Sequence, residues 1–506
     1  MIEILFVPLA LIYFAVIGLL FIYGINFFYL TFLAGRAQSN DPIPPMPVPL
    51  PRVTVQLPIY NELYVAERLI HAVARLDYPA ELLEIQVLDD SSDETVEIVR
   101  AAVERWRANG VHIAQVRRAD RQGFKAGALA NGMQSARGEF IAIFDADFIP
   151  SPDFLKRTLP HLTNPRIAFV QTRWGHVNRD YSLLTRLQSL AIDAHFMIEQ
   201  FARSHSDYWF NFNGTAGIWR RTAMEDAGGW TADTLTEDLD LSYRAFLRGW
   251  QAVFLRDVEV LAELPVTLSA YRRQQHRWGR GSLECAIKLL PRVWQSSAPW
   301  QKKLEATLHL TGYGIHLLMF VLMLLYPAII LMSARYPGLG LLFGIALICN
   351  ATAFAPTIFF LVAQQQLNRI QWRELAPILF ITMLGTGMMI NTTRAALEIV
   401  FRPRAAFERT PKFGIARKNQ NWRALHYQLR LDSIVYVEIV FALFNGWSGL
   451  LALQANNFAV AFYAFLFAAG MFFTSGATIA QTFAVQRQQN LDQRRADASM
   501  ASLESG

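Results

Sequence analysis

Long apolar segments on both sides of a polar middle region constrain the fold of this chain more than any other feature. Residues 2–34 carry almost no charge and exceed the ~20 residues that span a bilayer as a helix. Of the 506 residues, 53% are hydrophobic and 17% are charged, whereas soluble proteins average about 25% charged residues. Four further apolar runs follow the polar middle, at about 305–334, 338–363, 431–455 and 458–484. The sequence predicts a soluble-like domain between membrane-spanning segments.

The distribution of basic residues predicts the orientation of these segments. The stretch 402–430 contains eight Lys or Arg residues and one acid, Glu408, whereas the short links 335–337 and 456–457 contain one basic residue, Arg335. Basic loops remain on the cytoplasmic side. Residues 2–34 lack a basic start and a cleavage site, so we interpret them as an uncleaved anchor. We expect a multi-pass protein of the plasma (inner) membrane whose polar middle domain is cytoplasmic.

A fifth apolar run, at about 375–400, contains polar residues that suit a bilayer centre poorly. Asn391, Arg394 and Glu398 all lie in it. If the two runs before it cross as a pair, this run must cross twice or lie in the interface. We predict an interfacial or re-entrant helix.

The predicted organisation divides the chain into seven parts. They are a transmembrane helix (1–34), a proline-rich linker (35–51), a cytoplasmic domain (52–284), an interface helix with two transmembrane helices (285–374), an interfacial helix with a cytoplasmic loop (375–430), two transmembrane helices (431–484) and a polar cytoplasmic tail (485–506).

The middle region begins with alternating strand and helix patterns. Strands are expected at 53–57 and 85–88, and helices at 64–75 and 93–108. This alternation is typical of a parallel α/β sheet, in which ligands bind beyond the carboxyl ends of the strands. Asp89 and Asp90 follow the second strand, so we expect a ligand contact there. The alternative is a helix N-cap.

Two carboxylates follow the next apolar strand, at 140–144. Asp145 and Asp147 are two residues apart, so they point to the same side of an extended chain. Carboxylate oxygens and substrate phosphates together bind Mg²⁺, and Mn²⁺ prefers similar ligands. We predict a site for Mg²⁺ or Mn²⁺ that neutralises a diphosphate.

Three other motifs contain residue types suited to a phosphorylated ligand. Lys125 lies between glycines before a predicted helix, where a phosphate contact or a solvated lysine would both fit. Asp238, in Thr236-Glu237-Asp238, is either a general base or a helix cap. Gln274-Gln-His-Arg-Trp278 combines an arginine with an indole, which suits a diphosphate and a sugar, or else a membrane interface.

Taken in order, these motifs resemble the processive family 2 glycosyltransferases. The similarity is densest at Val87–Ser91, Lys125–Leu129, Ala142–Phe148, Phe212–Arg220 and Gln274–Trp278. The sequences of these segments resemble those of the cellulose-synthase-like glucomannan (mannan) and xyloglucan-backbone synthases of plants and their bacterial relatives. The resemblance implies a GT-A fold, the Rossmann-like nucleotide-sugar domain, inserted between transmembrane helices.

The resemblance also implies a role for each matching residue. Donor binding is expected at Tyr60, Glu62, Asp89, Asp90, Lys125, Asp145, Gln274 and Arg277, metal binding at Asp145 and Asp147, proton abstraction at Asp238, and acceptor binding at Trp278 and Glu237. A gating loop of the cellulose synthases matches Phe407, Thr410 and Lys412, whereas Arg409 replaces a valine of that pattern.

The expected activity is inverting, metal-dependent transfer of a hexose from a nucleoside-diphosphate sugar, of the UDP-glucose or GDP-mannose class, to a growing β-linked polysaccharide. Export of the product across the membrane would accompany it. The alternatives are β-glycosylation of a membrane lipid, such as diacylglycerol or ceramide, and a membrane transporter or receptor that uses the domain as a sensor. The net charge of +6 comes without a nucleic-acid-binding motif, so no nucleic-acid partner is expected.

Overall fold

A seven-stranded mixed β-sheet lies at the centre of the polar middle region in the computed structural model of the protein. The structure describes residues 2–37, 43–336, 340–369, 372–401, 408–423, 425–428 and 431–504. The strands, in chain order, are β1 (Val53–Ile59), β2 (Leu83–Asp89), β3 (Ile113–Val116), β4 (Phe140–Ile143), β5 (Ile167–His176), β6 (Gly217–Arg220) and β7 (Gln251–Ala262). Across the sheet they lie in the order β3-β2-β1-β4-β6-β5-β7.

Four neighbouring strands, β3, β2, β1 and β4, are parallel, as the alternation of strands and helices predicted. Strand β6 is antiparallel to both β4 and β5, and β7 is parallel to β5, so the complete sheet is mixed. The chain leaves β1 toward β2 and later returns to its other side at β4. Ligands of open α/β sheets bind at such a reversal, beyond the carboxyl ends of the strands.

Helices cover both faces of the sheet, so the residues on both faces of its central strands are buried. In β1, Val53 and Val55 on one face and Thr54 and Gln56 on the other are all completely buried. The helices up to the membrane region are α1 (Ile2–Arg36), α2 (Ala66–Val73), α3 (Thr95–Ala108), α4 (Phe124–Met133), α5 (Phe154–Thr158), α6 (Leu183–Ala194), α7 (Phe201–His205), α8 (Arg221–Asp226), α9 (Glu237–Leu247), α10 (Leu268–Gln295) and α11 (Trp300–Leu310).

Six helical segments among the described residues are long and apolar enough to cross a membrane, which fits a multi-pass membrane protein. They are Phe6–Arg36, Gly314–Arg335, Leu342–Gln366, Arg373–Phe401, Ile434–Gln454 and Phe458–Leu491. The helices after α11 are α12 (Gly314–Arg335), α13 (Gly340–Asn350), α14 (Ala355–Gln366), α15 (Trp372–Gly387), α16 (Met389–Phe401), α17 (Ile434–Gln454) and α18 (Phe458–Glu504).

The run predicted to lie in the interface, 375–400, forms two helices, α15 and α16. Its charged residues have protein partners: Arg394 Nη1 lies 2.9 Å from Asp432 Oδ2, and Glu398 Oε2 lies 3.0 Å from His276 Nε2. Together the two helices are long and apolar enough to cross a membrane, so their position at the membrane interface stays a prediction.

Residues 485–504 of the predicted polar tail are helical in the structure. Helix α18 continues without interruption from the last apolar run to Glu504. The polar part of the chain after the apolar run therefore extends the same helix rather than leaving it.

Helix α10 connects the sheet domain to the membrane helices. It packs against α16 and α18, and its Arg272 forms a bidentate ion pair with Glu438 on α17. Both side chains are at least 98% buried. A buried ion pair contributes little beyond an apolar pair of the same shape, but removing one partner leaves an uncompensated charge.

We therefore expect Glu438→Leu to destabilise the protein by about 3–5 kcal/mol, because Arg272 loses its carboxylate in a buried site. The double variant Arg272→Leu/Glu438→Leu should regain most of this loss. Thermal unfolding of the detergent-solubilised protein measures both. Glu104→Leu on the exposed face of α3 is the control, and equal destabilisation by the single and double variants would contradict the prediction.

Candidate active site

A cavity of about 190 Å³ lies beyond the carboxyl ends of β1, β2 and β4. Nearly all of the candidate residues that the structure describes line it. These are Tyr60, Glu62, Asp90, Lys125, Asp145, Asp147, Glu237, Asp238, Gln274, Arg277, Trp278, Thr410 and Lys412. Phe407, the remaining residue of the expected gating loop, lies outside the described residues.

Lys125, in the first turn of α4, lies among the acidic side chains that line the cavity. Its Nζ is 2.6 Å from Asp145 Oδ1, 3.7 Å from Glu237 Oε1 and within hydrogen-bond distance (2.9 Å) of the Gly214 carbonyl oxygen. Burial disfavours the ammonium, but the two carboxylates outweigh this and raise the pKa of Lys125. Lys125 is therefore a fixed cation in the cavity rather than a solvated surface lysine.

Gly214 allows this close arrangement because it has no side chain. Its φ of +77° is in the left-handed region, and a Cβ atom there would lie 2.9 Å from Asp238 Oδ2 and 3.2 Å from Lys125 Nζ. The segment after β5 returns to the sheet as β6, antiparallel to β4, and so brings this glycine between the lysine and Asp238.

Asp147 lies opposite a second lysine, supplied by a distant part of the chain. Lys412 Nζ is 2.7 Å from Asp147 Oδ2 and 2.5 Å from the carbonyl oxygen of Glu263. The same oxygen of Asp147 accepts the backbone N–H of Glu263 at 3.1 Å. An ammonium group thus occupies a cation position beside Asp147.

The residues present fit a hard divalent cation. Asp145 and Asp147 offer carboxylate oxygens, and the ammonium of Lys412 shows that a cation is accommodated beside Asp147. Within the described ranges no three His, Cys, Asp or Glu side chains are grouped to hold a metal, so substrate phosphates and water would complete the coordination. A metal bound to Oδ2 of Asp147 would compete with Lys412 for that oxygen.

Arginines hold aromatic and acidic side chains in another part of the cavity lining. The guanidinium of Arg121 lies 3.3 Å from the ring centroid of Tyr60, and Arg409 Nη1 lies 2.9 Å from Glu62 Oε2. Burial raises the pKa of Glu62 to about 8 although Arg409 opposes this. Glu62 can therefore donate as well as accept a hydrogen bond near neutral pH.

The two neighbouring aspartates after β2 have different environments. Asp90 lines the cavity and accepts two hydrogen bonds from Arg118, at 2.8 and 2.6 Å. Asp89 is 1% exposed and accepts hydrogen bonds from Gln115 and the backbone of Ser91, away from the cavity lining. The structure thus brings Asp90, but not Asp89, to the cavity.

Asp238 lies in the first turn of α9, beside Glu237. Burial first, and then the charge of Glu237, raise the pKa of Asp238 to about 7, while Lys125 opposes the shift. One carboxylate oxygen accepts the backbone N–H of Leu239 at 2.8 Å. A carboxyl with this pKa can take up a proton near neutral pH, as a general base requires.

Gln274, Arg277 and Trp278 reach the cavity from α10. Arg277 Nη1 donates to the carbonyl oxygen of Glu408 at 3.1 Å, which connects α10 to the segment that carries Lys412. The indole of Trp278 has its ring centroid 6.4 Å from that of Trp174. The two indoles form an apolar wall near Asp238.

A second and larger cavity, of about 870 Å³, lies among the membrane helices and reaches the same wall. The residues that line both cavities are Trp174, Ile192, Asn213, Thr236, Asp238 and Trp278. The larger cavity also contacts α1, α12 and α15, through residues such as Tyr23, His316 and Thr382. The two cavities therefore adjoin at Asp238 and Trp278.

Three residues that shape the smaller cavity, Arg118, Arg121 and Glu263, were not predicted from the sequence, and neither was the ion pair between Arg409 and Glu62. Arg118 and Glu263 follow the carboxyl ends of β3 and β7, as Asp90 and Asp145 follow those of β2 and β4. Applying the same positional rule to every parallel strand would have identified both.

The middle region of the chain matches a known protein family. Residues 51–281 match the family described as "Glycosyltransferase like family 2". Glucomannan 4-beta-mannosyltransferase 1 of Oryza sativa subsp. japonica is 47% identical over 51% of this chain and 51% of its own length. Glucomannan 4-beta-mannosyltransferase 2 of Arabidopsis thaliana is 47% identical over 48% of this chain and 46% of its own. The chain spans about half the length of the curated relatives it matches.

A solved structure shares the architecture. A mannosyltransferase from Pyrobaculum calidifontis, in complex with GDP-Man and Mn²⁺, superposes with a TM-score of 0.52 at 22% identity, over 78% of this chain and 99% of that one. This likeness confirms the expected GT-A fold of the domain.

We expect Lys412→Met to strengthen Mn²⁺ binding by the nucleotide-free protein, because the ammonium no longer competes for Asp147. The dissociation constant should fall roughly three- to tenfold, equivalent to about 0.7–1.4 kcal/mol. Electron paramagnetic resonance of free Mn²⁺ measures it. Lys418→Met, an exposed lysine of the same segment, is the control, and unchanged or weaker binding by Lys412→Met would contradict the competition.

Proposed function

We propose that this chain, whose residues 51–281 are a glycosyltransferase family 2 domain, transfers mannose from GDP-mannose to a growing β-linked polysaccharide. The observation that carries the proposal is the convergence of Lys125, Asp145, Asp147 and Asp238 on one cavity. The choice of mannose rests on the names of the curated relatives and on the GDP-Man in the solved mannosyltransferase.

The proposed chemistry is a single displacement with inversion. The carboxylate of Asp238 takes the proton of the acceptor hydroxyl while that oxygen bonds to the anomeric carbon, and the bond to the diphosphate breaks. The ammonium of Lys125 stabilises the charge that develops on the leaving diphosphate. A divalent cation held by Asp145 and Asp147 would supply further neutralisation of that charge when bound.

The nucleoside is proposed to occupy the end of the cavity near Tyr60, Glu62 and Asp90. Tyr60 offers an aromatic face, and Asp90 is held in place by Arg118. Arg277 and Gln274 on α10 line the same cavity and are proposed to contact the diphosphate.

The product is proposed to leave through the larger cavity. The larger cavity meets the smaller one at Asp238 and Trp278, where the acceptor would lie, and it continues among the membrane helices. The basic residues of 408–430 favour a cytoplasmic position for the domain, where nucleotide sugars are made available. Repeated addition and export belong to the same proposal.

The test is incubation of the full chain in nanodiscs with radiolabelled GDP-mannose and UDP-glucose, each with Mg²⁺ or Mn²⁺. We expect a polymer from GDP-mannose that a β-1,4-mannanase digests. Asp238→Asn should lower the rate by about 10²–10⁴-fold because the general base is lost. Donor binding, measured separately, should stay within about twofold.

Three results would contradict parts of this proposal. A labelled lipid as the sole product would replace the polysaccharide with a lipid acceptor, and single-sugar additions would reject repeated transfer. Full activity of Asp238→Asn would remove Asp238 from the chemistry.

The pH dependence of the reaction follows from Asp238. The base must be deprotonated, and its pKa is raised to about 7, so kcat/KM should fall as the pH is lowered through about 7 and level off above it. Initial rates between pH 5.5 and 8.5 measure this. A profile that is flat from pH 6 to pH 8 would contradict the assignment.

A further inference from the structure

A polar cluster lines the larger cavity close to the wall that it shares with the smaller one. It is built on a π-helical turn, His195–Gln200, that follows α6 directly. Such turns are rare within helices and occur frequently at functional sites. His195 and Glu199 of this turn line the larger cavity, and Asn213 lines both cavities.

These side chains form one hydrogen-bonded chain. Gln200 Nε2 donates to Asn213 Oδ1, which leaves Asn213 Nδ2 to donate to His195 Nε2 at 3.2 Å. His195 Nδ1 then lies 2.8 Å from Glu199 Oε2. This order assigns the imidazole proton to Nδ1, and it fixes the ring and the carboxylate in one orientation.

Glu199 is held as an anion in this environment. Burial opposes its ionisation, but His195 and Arg203 outweigh burial and keep the pKa of Glu199 below its ordinary value. Arg203 is itself paired with Glu305 at 2.9 Å. A fixed carboxylate at a cavity wall accepts hydrogen bonds from hydroxyl groups and repels phosphate and carboxylate groups.

The wall shared by the two cavities is aromatic where this cluster ends. Trp278 and Trp174 contribute indoles there, while Asp238 marks the point of attack in the proposed reaction. A sugar ring has an apolar face that suits an indole and a rim of hydroxyls that suits carboxylate and amide groups.

We infer that His195, Glu199 and Asn213 bind the hydroxyls of the acceptor sugar next behind the one that attacks at Asp238. The inference rests on the proposed function and deepens it, because it names the acceptor as an uncharged hexose chain. The anionic Glu199 selects against uronic acids and phosphorylated sugars at that position. The cluster positions the acceptor and takes no part in proton transfer.

Binding of oligosaccharides to the full chain in nanodiscs tests the inference without catalysis. The probe is β-1,4-mannohexaose, measured by isothermal titration calorimetry. We expect Glu199→Gln and His195→Ala to weaken binding roughly ten- to a hundredfold, because a hydrogen bond to a charged group is lost or weakened. Glu225→Gln, an exposed acid on α8, is the matched control and should bind like the parent protein.

Turnover of GDP-mannose in the same preparations separates this inference from the proposed function. Donor hydrolysis and the KM for GDP-mannose should stay within about twofold in Glu199→Gln, while the KM for mannohexaose rises in parallel with its dissociation constant. Unchanged oligosaccharide affinity in both variants, no mannohexaose binding by the parent protein, or an equal rise in the donor KM would overturn the inference. Absence of donor turnover in the parent protein would instead count against the proposed function.

Thermal unfolding shows whether the variants are folded. If His195→Ala unfolds at a lower temperature than the parent protein, the binding experiment uses His195→Gln instead, because glutamine retains a polar side chain. A mannohexaose whose second unit from the attacking end is oxidised to a uronic acid should bind more weakly to the parent protein and nearly as well as mannohexaose to Glu199→Gln. Equal binding of the two sugars to the parent protein would remove the proposed charge selection.

Discussion

The arrangement of the site depends on pairing buried carboxylates with cations from distant parts of the chain. A carboxylate taken out of water is costly unless a positive group or several hydrogen bonds compensate it. Asp145 is paired with Lys125, Asp90 with Arg118, and Asp147 with Lys412. Each pair joins two elements of the structure, so the acids that suit a diphosphate and a metal also hold the loops of the cavity together.

Of these three pairs, the one between Asp147 and Lys412 spans the longest stretch of chain. It connects the segment after β4 with a segment that follows α15 and α16, 265 residues later in the chain. Glu263 strengthens the connection because its N–H contacts Asp147 while its carboxylate accepts the N–H of Phe413 at 2.9 Å. The membrane region and the sheet domain therefore share the same small set of polar contacts.

Much of this fold could be predicted from the sequence because its signals are local. The strands at 53–57, 85–88 and 140–144 were recognisable as apolar runs, and the acids that follow them mark the carboxyl edge of the sheet. The partners of these acids were not predictable, because no local pattern shows that Arg118 turns toward Asp90 or that Arg409 reaches Glu62. The antiparallel direction of β6 and the π-helical turn at 195–200 likewise depend on tertiary packing.

In the membrane region, too, some features could be predicted from the sequence and others could not. Hydropathy predicted the ends of the helix at 434–454 to within a few residues. It did not separate α11 from α12, because the polar junction between them is short. The continuation of α18 to Glu504 also escaped prediction, since a polar composition alone does not distinguish a solvated helix from an irregular tail.

The shared wall of the two cavities has a kinetic consequence. Since the smaller cavity holds the groups suited to a nucleotide and the larger one extends among the membrane helices, two reactants could reach Asp238 through different cavities. Neither would have to pass the other, so a spent nucleotide could be exchanged while a long second reactant remained bound. For an enzyme of the proposed type, a sequential mechanism with a ternary complex would follow, and neither binding order would be imposed sterically.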